Sequence, residues 1–339
     1  MIKIVVDAMG GDNGPTPNVE GAVMACRKYP VEILLVGPKS VVERELLRFS
    51  EKDKARVSIV HASESIGMSE SPSKAFRKKK DSSIHVGLNQ VKTKKAEGFV
   101  SAGNTGAVMT ASTLILGRAH DVERPGLAAV LPSKTNPYVI LDLGSTVDCK
   151  PQHLVEFAIM GHYFAKLILK REEPKIGLLN IGEEKDKGNS LTLATYPLLE
   201  QLPLNFIGHI EAKEMTLGTT DVVVCDGFVG NNILKFGEGV SKLFSGFFKE
   251  EAKQSLLSKI ALLLLRPAFK RFKKQYDYDE YGGGLLLGVN GISIVAHGSA
   301  GPVAIKNAIK VAYLSCQNRI AEKIADGIAE HKKRAPISI

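Results

Sequence analysis

Short runs rich in β-branched residues alternate with longer helical stretches along most of this chain, and this alternation constrains its fold more than any other feature. Most of the runs are followed by ten or more residues with helical periodicity, which is typical of βαβ units. We therefore predict one three-layer α/β unit with a mainly parallel sheet over residues 1–339. The predicted strands are 3–6, 32–36, 57–60, 98–101, 127–130, 138–141, 175–180, 205–208, 222–225 and 293–296.

Glycine-rich turns follow many of these predicted strands. The turn at 101–107 reads Ser-Ala-Gly-Asn-Thr-Gly-Ala and opens a helix of small residues. A helix start exposes backbone N–H groups at its positive end, which suits an anion such as phosphate. Because ligands bind beyond the carboxyl ends of parallel strands, we expect all the turns to share that edge. The others lie at 7–12, 142–145, 180–184, 226–231 and 296–299.

The composition is that of a globular protein: 44% of the residues are hydrophobic and 24% are charged. The chain starts with an apolar strand, and it shows neither a secretory signal nor a membrane-spanning run. Its four cysteines do not have the spacing of a metal site. We therefore expect a reduced, cytoplasmic setting. The formal net charge of +9 indicates acidic partners without identifying them. No nucleic-acid motif occurs, so we expect no nucleic-acid partner.

A helical excursion at about 247–281 interrupts the alternating pattern. Between 249 and 274 the chain carries eight basic and two acidic residues. On a helical projection Leu257, Leu264, Leu265 and Phe272 share one face, with lysines and Arg266 opposite. Such a segment is a packing or dimer helix with a solvated basic face, or an amphipathic helix that contacts an anionic membrane or an acidic protein. Pro267 is expected to kink or divide it.

Nucleotide binding is not indicated. The first turn, at 7–14, does not match the dinucleotide fingerprint, and the 101–107 turn lacks the lysine of a P-loop. A cysteine nucleophile is disfavoured, because Cys225 ends an apolar strand and Pro151 separates Cys149 from His153.

Ten sequence blocks together resemble the bacterial phosphate acyltransferase family, PlsX. The resemblance runs from Lys3 to about Ile320, in the same order, and several blocks are long. The blocks are Asp-Ala-Met-Gly-Gly-Asp at 7, Ser-Ala-Gly-Asn-Thr-Gly-Ala at 101, Arg-Pro at 124, Asp-Leu-Gly at 142, Val-Asp-Cys-Lys-Pro at 147, Asn-Ile-Gly-Glu-Glu at 180, Gly-His-Ile-Glu at 208, 221–231, 282–288 and Ala-His-Gly-Ser at 296.

The resemblance implies a fold similar to that of phosphotransacetylases and isopropylmalate dehydrogenases, and a homodimer. It implies transfer of an acyl group from acyl-acyl-carrier-protein to inorganic phosphate, which opens phospholipid synthesis and feeds a membrane acyltransferase. Two positions depart from the family pattern. Thr146 replaces the usual asparagine, and Asn13 replaces a histidine, so neither of the usual side chains has a role here.

The turns supply the predicted site residues. Asn104, Asp226 and His297 are the catalytic candidates, although the first two are also suited to capping a helix and the third to a buried hydrogen bond. No metal or other cofactor is required by this chemistry. The candidates for binding phosphate or the acyl group are Gly10, Gly11, Ser101, Gly103, Thr105, Gly106, Gly144, Lys187, Asn189, Asn231 and Ser299, and those for membrane contact are Leu257, Leu264, Leu265 and Phe272.

Two other functions remain open from the sequence. One is a phosphotransacetylase-like enzyme acting on short acyl-CoA, which a preference for an acidic carrier protein would exclude. The other is a non-catalytic membrane scaffold for lipid synthesis, which would bind lipid and carrier protein without turnover.

Overall fold

Eleven strands form one sheet in the computed structural model, which describes residues 1–276 and 281–334. All ten predicted strands are present, and the sequence pattern missed only Gly284–Leu287. The strands are β1 (Ile2–Asp7), β2 (Val31–Gly37), β3 (Val57–His61), β4 (Gly98–Ser101), β5 (Gly126–Leu131), β6 (Tyr138–Leu141), β7 (Ile176–Leu179), β8 (Phe206–Ile210), β9 (Val222–Val224), β10 (Gly284–Leu287) and β11 (Ile292–Val295).

Helices cover both faces of the sheet, so the predicted three-layer α/β class is confirmed. Successive residues of β1 show why: Ile4 and Val6 join one apolar core, and Val5 joins the other. The helices are α1 (Thr16–Lys28), α2 (Lys39–Leu46), α3 (Glu51–Lys54), α4 (Pro72–Lys78), α5 (Ser83–Lys92), α6 (Thr105–Ile115), α7 (Pro151–Leu167), α8 (Ser190–Glu200), α9 (Ala212–Met215), α10 (Gly227–Gln254), α11 (Leu256–Tyr276), α12 (Pro302–Gln317) and α13 (Ile320–Arg334).

The direction of the strands reverses in the middle of the sheet. The order is β3-β2-β1-β4-β11-β10-β5-β6-β9-β7-β8, and the pairs β11–β10, β10–β5 and β5–β6 are antiparallel. Three reversals make β6, β7, β8 and β9 run opposite to β1, β2, β3, β4 and β11. The carboxyl ends of the two groups therefore lie at opposite edges, which we call the Asp7 edge and the Asp142 edge. The prediction that all the glycine turns share one edge is wrong.

A helical hairpin of α10 and α11 projects from the sheet. Helix α10 begins at the Asp142 edge, and its side chain Glu238 lies 3.8 Å from His297 at the Asp7 edge. The remaining turns of α10 extend past that edge, where Gly239 and Gly246 have no neighbouring atom within 4 Å of an added Cβ. Helix α10 thus begins twenty residues before the predicted excursion, and only its part beyond Glu238 projects from the sheet. The break between the two helices falls at Ser255, while Pro267 lies inside α11.

Candidate active site

The Asp7 edge is organised by a buried carboxylate. Asp7 is 1% exposed; its Oδ2 accepts a hydrogen bond from the Ser101 hydroxyl at 2.7 Å, and its Oδ1 accepts the Met9 N–H at 3.0 Å. The Ser101 oxygen in turn accepts the Gly103 N–H at 3.0 Å. Burial raises the pKa of Asp7, and the hydroxyls of Ser83 and Ser101 oppose that rise. One carboxylate thus ties the turn after β1 to the turn after β4.

Asn104 is the N-cap of α6. Its Oδ1 accepts the Ala107 N–H at 3.0 Å, and its Nδ2 donates to the carbonyls of Met68 and Glu70 at 2.8 and 3.0 Å. All three bonds are internal to the protein, which is the capping arrangement. In the part of the chain that the structure describes, the N–H groups of Thr105 and Gly106 have no acceptor. These two donors at the positive end of α6 are available to an anion.

Glycines allow the three turns of the Asp7 edge to touch. A Cβ on Gly10 would lie 2.6 Å from the Gly103 nitrogen, and one on Gly11 would lie 2.8 Å from the Gly298 carbonyl oxygen. Gly11 also has a φ of +94°, which favours glycine. The Asp12 N–H donates to the Gly298 carbonyl at 2.7 Å. The turns after β1, β4 and β11 therefore form one backbone-lined surface.

His297 is hydrogen-bonded on one side and faces a carboxylate on the other. Its Nδ1 accepts from the Ser299 N–H at 3.2 Å and lies 2.8 Å from the Ser299 hydroxyl. Because Nδ1 is the acceptor, the proton of the neutral ring lies on Nε2, 3.8 Å from the Glu238 Oε1. Glu238 also pairs with Lys235. This geometry orients the imidazole at the Asp7 edge.

The Asp142 edge is organised by a second buried carboxylate, which is 0% exposed. Its Oδ1 accepts the N–H groups of Leu127 and Ser145 at 2.9 and 3.1 Å. Its Oδ2 accepts the Thr146 N–H at 2.7 Å and the Ser145 hydroxyl at 2.8 Å. Burial raises the pKa of Asp142, and these four donors oppose that rise. Asp142 thus fixes the turn after β6 against the start of β5.

Helix α10 starts against this turn. The Asp226 Oδ1 accepts the Val229 N–H at 2.9 Å as the N-cap, and the Gly227 N–H donates to the Thr146 carbonyl at 2.9 Å. A Cβ on Gly144 would lie 3.4 Å from that of Asn231. Thr146 contributes its backbone N–H and carbonyl to this turn.

The turn after β7 completes the Asp142 edge. Asn189 caps α8 by accepting the Thr192 N–H at 2.9 Å, and Lys187 is exposed. The Asn180 Nδ2 donates to the Lys187 carbonyl at 2.9 Å and lies 3.0 Å from the His209 Nδ1. No salt bridge to the Lys187 ammonium is present among residues 1–276 and 281–334.

The predicted site residues therefore form two groups, and their roles remain predictions. The sequence analysis missed three contributors: Ser83 beside Asp7, Ser145 on Asp142, and Glu238 opposite His297. A serine within a glycine turn was a usable signal for Ser145, whereas Ser83 lies at the start of α5 and Glu238 lies seven residues beyond Asn231, the last residue of the nearest turn. The Asp7 edge carries Gly10, Gly11, Ser101, Gly103, Asn104, Thr105, Gly106, His297 and Ser299, and the Asp142 edge carries Gly144, Lys187, Asn189, Asp226 and Asn231.

The cysteines near the Asp142 edge are thiols at neutral pH. Cys225 is 3% exposed, and burial raises its pKa well above the usual value. Burial likewise raises the pKa of Cys149 to about 12. Because the thiolate is the nucleophilic form, neither residue is suited to covalent catalysis.

The described ranges contain neither a membrane-spanning helix nor a cluster of metal-binding side chains. No helix there is long and apolar enough to cross a membrane. No group of three or more His, Cys, Asp or Glu residues there is arranged to hold a metal ion.

Comparison with known proteins identifies relatives over nearly the whole chain. The family described as "Fatty acid synthesis protein" matches residues 2–323. The phosphate acyltransferase of Moorella thermoacetica is 49% identical over 94% of this chain and 93% of its own length. That of Geotalea uraniireducens is 46% identical over 97% of this chain and 95% of its own length.

Solved structures with the same fold are phosphotransacetylases. The enzyme from Streptococcus pyogenes aligns with a TM-score of 0.61 at 18% identity, covering 93% of this chain and 94% of its own. The EutD phosphotransacetylase from Staphylococcus aureus aligns with a TM-score of 0.60 at 15% identity, with the same coverage. At these identities the likeness shows the fold alone.

Proposed function

The chain belongs to the phosphate acyltransferase family, and from that premise we propose that it transfers a long-chain acyl group from an acyl carrier protein to inorganic phosphate. The acyl phosphate formed would then serve phospholipid synthesis through a membrane acyltransferase. Acyl transfer to phosphate is the activity of the family, whereas the long-chain carrier-protein donor and the phospholipid role are our proposals.

The observation that best supports the proposal is the pair of glycine-turn edges, each held by a buried carboxylate and each opening a helix. A phosphate oxygen attacks the thioester carbonyl carbon, the new C–O bond forms, the C–S bond breaks, and the sulfur leaves as a thiolate. A thiol has a pKa near 8.5, so its thiolate departs without a strong acid. The remaining requirement is to position two substrates and to stabilise the oxyanion. Each hydrogen-bond donor to the oxyanion lowers the activation free energy by about 3 to 4 kcal/mol.

Free N–H groups at Thr105 and Gly106 are suited to that requirement, since they donate to an anion without a change in protonation. His297, with its Nε2 proton beside Glu238, is suited to donate to the oxyanion or to the leaving sulfur. Asp226 and Asn231 supply polar groups at the start of α10, and Lys187 supplies a positive charge. We keep these as the proposed roles.

The test is to incubate the pure protein with long-chain acyl-acyl-carrier-protein and inorganic phosphate, and to measure acyl phosphate and free carrier thiol. We expect both products in equal amounts, with full dependence on phosphate. A parallel reaction with acetyl-CoA is expected to be at least a hundredfold slower. Faster turnover of acetyl-CoA would identify a phosphotransacetylase-like enzyme, and binding of carrier protein without product would identify a scaffold.

We also propose that the enzyme is cytoplasmic and contacts anionic membranes through the α10–α11 hairpin. Leu257, Leu264 and Leu265 are 77%, 76% and 51% exposed, and Arg266 is exposed beside them; the side chain of Phe272 lies outside the described residues. Burying two leucines contributes about 3 to 6 kcal/mol, and each cation near an anionic surface adds about 1 kcal/mol. These magnitudes correspond to reversible binding.

The membrane proposal is tested by Leu264→Glu combined with Leu265→Glu in flotation with phosphatidylglycerol vesicles. We expect the double variant to lose vesicle binding while keeping turnover on the carrier-protein substrate. Leu47→Glu is the matched control, because Leu47 is 77% exposed on a different surface. Equal flotation of parent and double variant would contradict the membrane contact.

A homodimer is proposed from the exposed apolar side chains of α10. Phe236, Leu243, Phe244 and Phe247 are between 56% and 75% exposed and lie along one helix, and contiguous exposed apolar side chains mark interaction sites. Light scattering after size exclusion is expected to give twice the chain mass for the parent and one chain mass for Phe244→Glu. A monomeric parent would contradict the dimer.

A further inference from the structure

A basic cavity that no part of the proposed chemistry uses lies at the Asp142 edge. Its volume is about 420 Å³, and it is lined by Arg118, Glu123, Arg124, Lys150 and His153. The residues come from the loop before β5 and from the start of α7. Three permanent cations therefore face one space.

These cations are not balanced by carboxylates. In the described part of the chain, the side chains of Arg124 and Lys150 form no ion pair with a carboxylate, and the Arg118 guanidinium donates only to the Glu123 carbonyl, at 2.6 Å. The single carboxylate, Glu123, lies 3.3 Å from the His153 Nε2 and 4.0 Å from Lys332. Burial lowers the pKa of His153, so its ring is neutral at pH 7. The cavity thus carries an excess of positive charge.

The cavity lies near the start of α10, to which it is linked through Cys149 and Thr146. Cys149, next to Lys150, directs its Sγ to the Thr146 carbonyl at 3.4 Å, and that carbonyl also accepts the Gly227 N–H. Arg124 lies close enough to Cys149 to lower the pKa of that thiol, against the larger effect of burial. A ligand in the cavity would therefore lie beside the turns after β6 and β9.

We propose that this cavity binds a phosphate group. Two guanidinium groups present planar forks of donors that match phosphate oxygens, and Lys150 adds a point charge. The imidazole of His153 is the one ring in the lining and is 4% exposed, and no aliphatic side chain lines the cavity, so it offers little surface for a base or an acyl chain. The phosphate has two sources, inorganic phosphate or the phosphodiester of the thiol-bearing arm of the acyl donor. The second source rests on the proposed function.

The test uses Arg124→Gln combined with Lys150→Gln, with Arg44→Gln as the control. Arg44 is exposed on α2, and its removal changes the net charge without touching the cavity. Inorganic phosphate is titrated into each protein and followed by ³¹P line broadening, and KM is measured for phosphate and for acyl-acyl-carrier-protein. We expect the double variant to raise one KM at least tenfold with kcat within threefold of the parent, while Arg44→Gln changes neither.

The affected substrate identifies the source. A raised KM for phosphate, with lost ³¹P broadening, assigns the cavity to inorganic phosphate. A raised KM for the carrier-protein donor alone assigns it to the phosphodiester. Both KM values within twofold of the parent, and unchanged ³¹P broadening, would overturn the proposal.

Failure of the proposed function is distinguishable from failure of this inference. A parent that makes no acyl phosphate contradicts the function, whereas ³¹P broadening in that same parent, abolished by the double variant, still supports the cavity. If the double variant fails to fold, Arg124→Gln alone is measured in its place, with Arg124→Lys expected to restore part of the binding.

Discussion

Replacing Asp142 by asparagine tests whether one carboxylate organises the Asp142 edge. All four groups that face it are donors, from Leu127, Thr146 and, twice, Ser145. An asparagine presents one oxygen and one NH₂, and the NH₂ cannot accept. The cheaper orientation directs the NH₂ at the Thr146 N–H and the Ser145 hydroxyl. That hydroxyl can donate its one hydrogen to the Pro125 carbonyl at 2.7 Å and accept from the NH₂, which a backbone N–H cannot do.

The expected cost follows from that orientation. A buried donor left without an acceptor costs about 1 to 3 kcal/mol, and hydrogen bonds to a charged group are worth about 1.5 to 3 kcal/mol each. Because the asparagine also avoids the cost of burying a charge, we expect the free energy of unfolding to fall by about 2 to 4 kcal/mol in total. Since the Thr146 carbonyl holds the start of α10 through Gly227, catalytic activity should fall as well.

The assay is urea unfolding of parent and variant, read by far-UV circular dichroism and analysed with a common slope. Asp226→Asn is the stability control, because asparagine and aspartate are equally good N-caps, so its unfolding free energy should stay within about 0.5 kcal/mol of the parent. A loss below about 1 kcal/mol for Asp142→Asn, with unchanged kcat and KM, would refute the organising role.

Three further predictions concern single residues. Asp226→Asn should lower kcat more than tenfold without a change in stability if its charge acts in the reaction, and unchanged kcat would leave Asp226 as a cap. Cys225→Ala should retain most activity, because burial holds the pKa of that thiol well above neutrality; a folded but inactive variant would restore the covalent mechanism. Burial lowers the pKa of His153 below its usual value of 6.5. Below pH 6.5 the unfolded chain therefore binds more protons than the folded chain, so the free energy of unfolding should fall as the pH drops through and below 6.5. His153→Asn, whose Oδ1 replaces the Nδ1 that accepts the Lys150 N–H, should flatten the dependence of the melting temperature on pH; an unaltered slope would contradict it.

Strand positions were readable from the sequence because buried strands are β-branched runs bounded by turns. β10 was missed because its residues, Gly-Leu-Leu-Leu, are not β-branched and follow two further glycines. The reversal of the sheet had a signal: only six residues, 132–137, separate β5 from β6, too few for a helical crossover between parallel strands. Of the two β10 pairings that complete the reversal, the one with β11 spans only the short turn 288–291, whereas the one with β5 joins segments far apart in the chain, which local patterns do not report.

The site was predictable at the level of turns and less so at the level of side chains. Asn104 was correctly identified as suited to a cap, but its bonds to Met68 and Glu70 come from a loop over thirty residues away. Asp7 and Asp142 are the first residues of two of the predicted turns, and the hydrogen bonds that they accept hold those turns in place. The cations of the basic cavity went unnoticed because Arg118 and Lys150 are distant in sequence and meet only through the packing of the loop before β5 on α7.

Helix α10 has a mechanical consequence for the enzyme. Gly227 and Glu238 are eleven residues apart, so about 17 Å of continuous helix joins one edge of the sheet to the other. An α-helix of this length behaves as a stiff rod, and its far half, with α11, acts as a lever arm outside the sheet. A membrane that tilts the hairpin would therefore displace Gly227 and Glu238 together. The turns at the two edges of the sheet would then move in a coupled way.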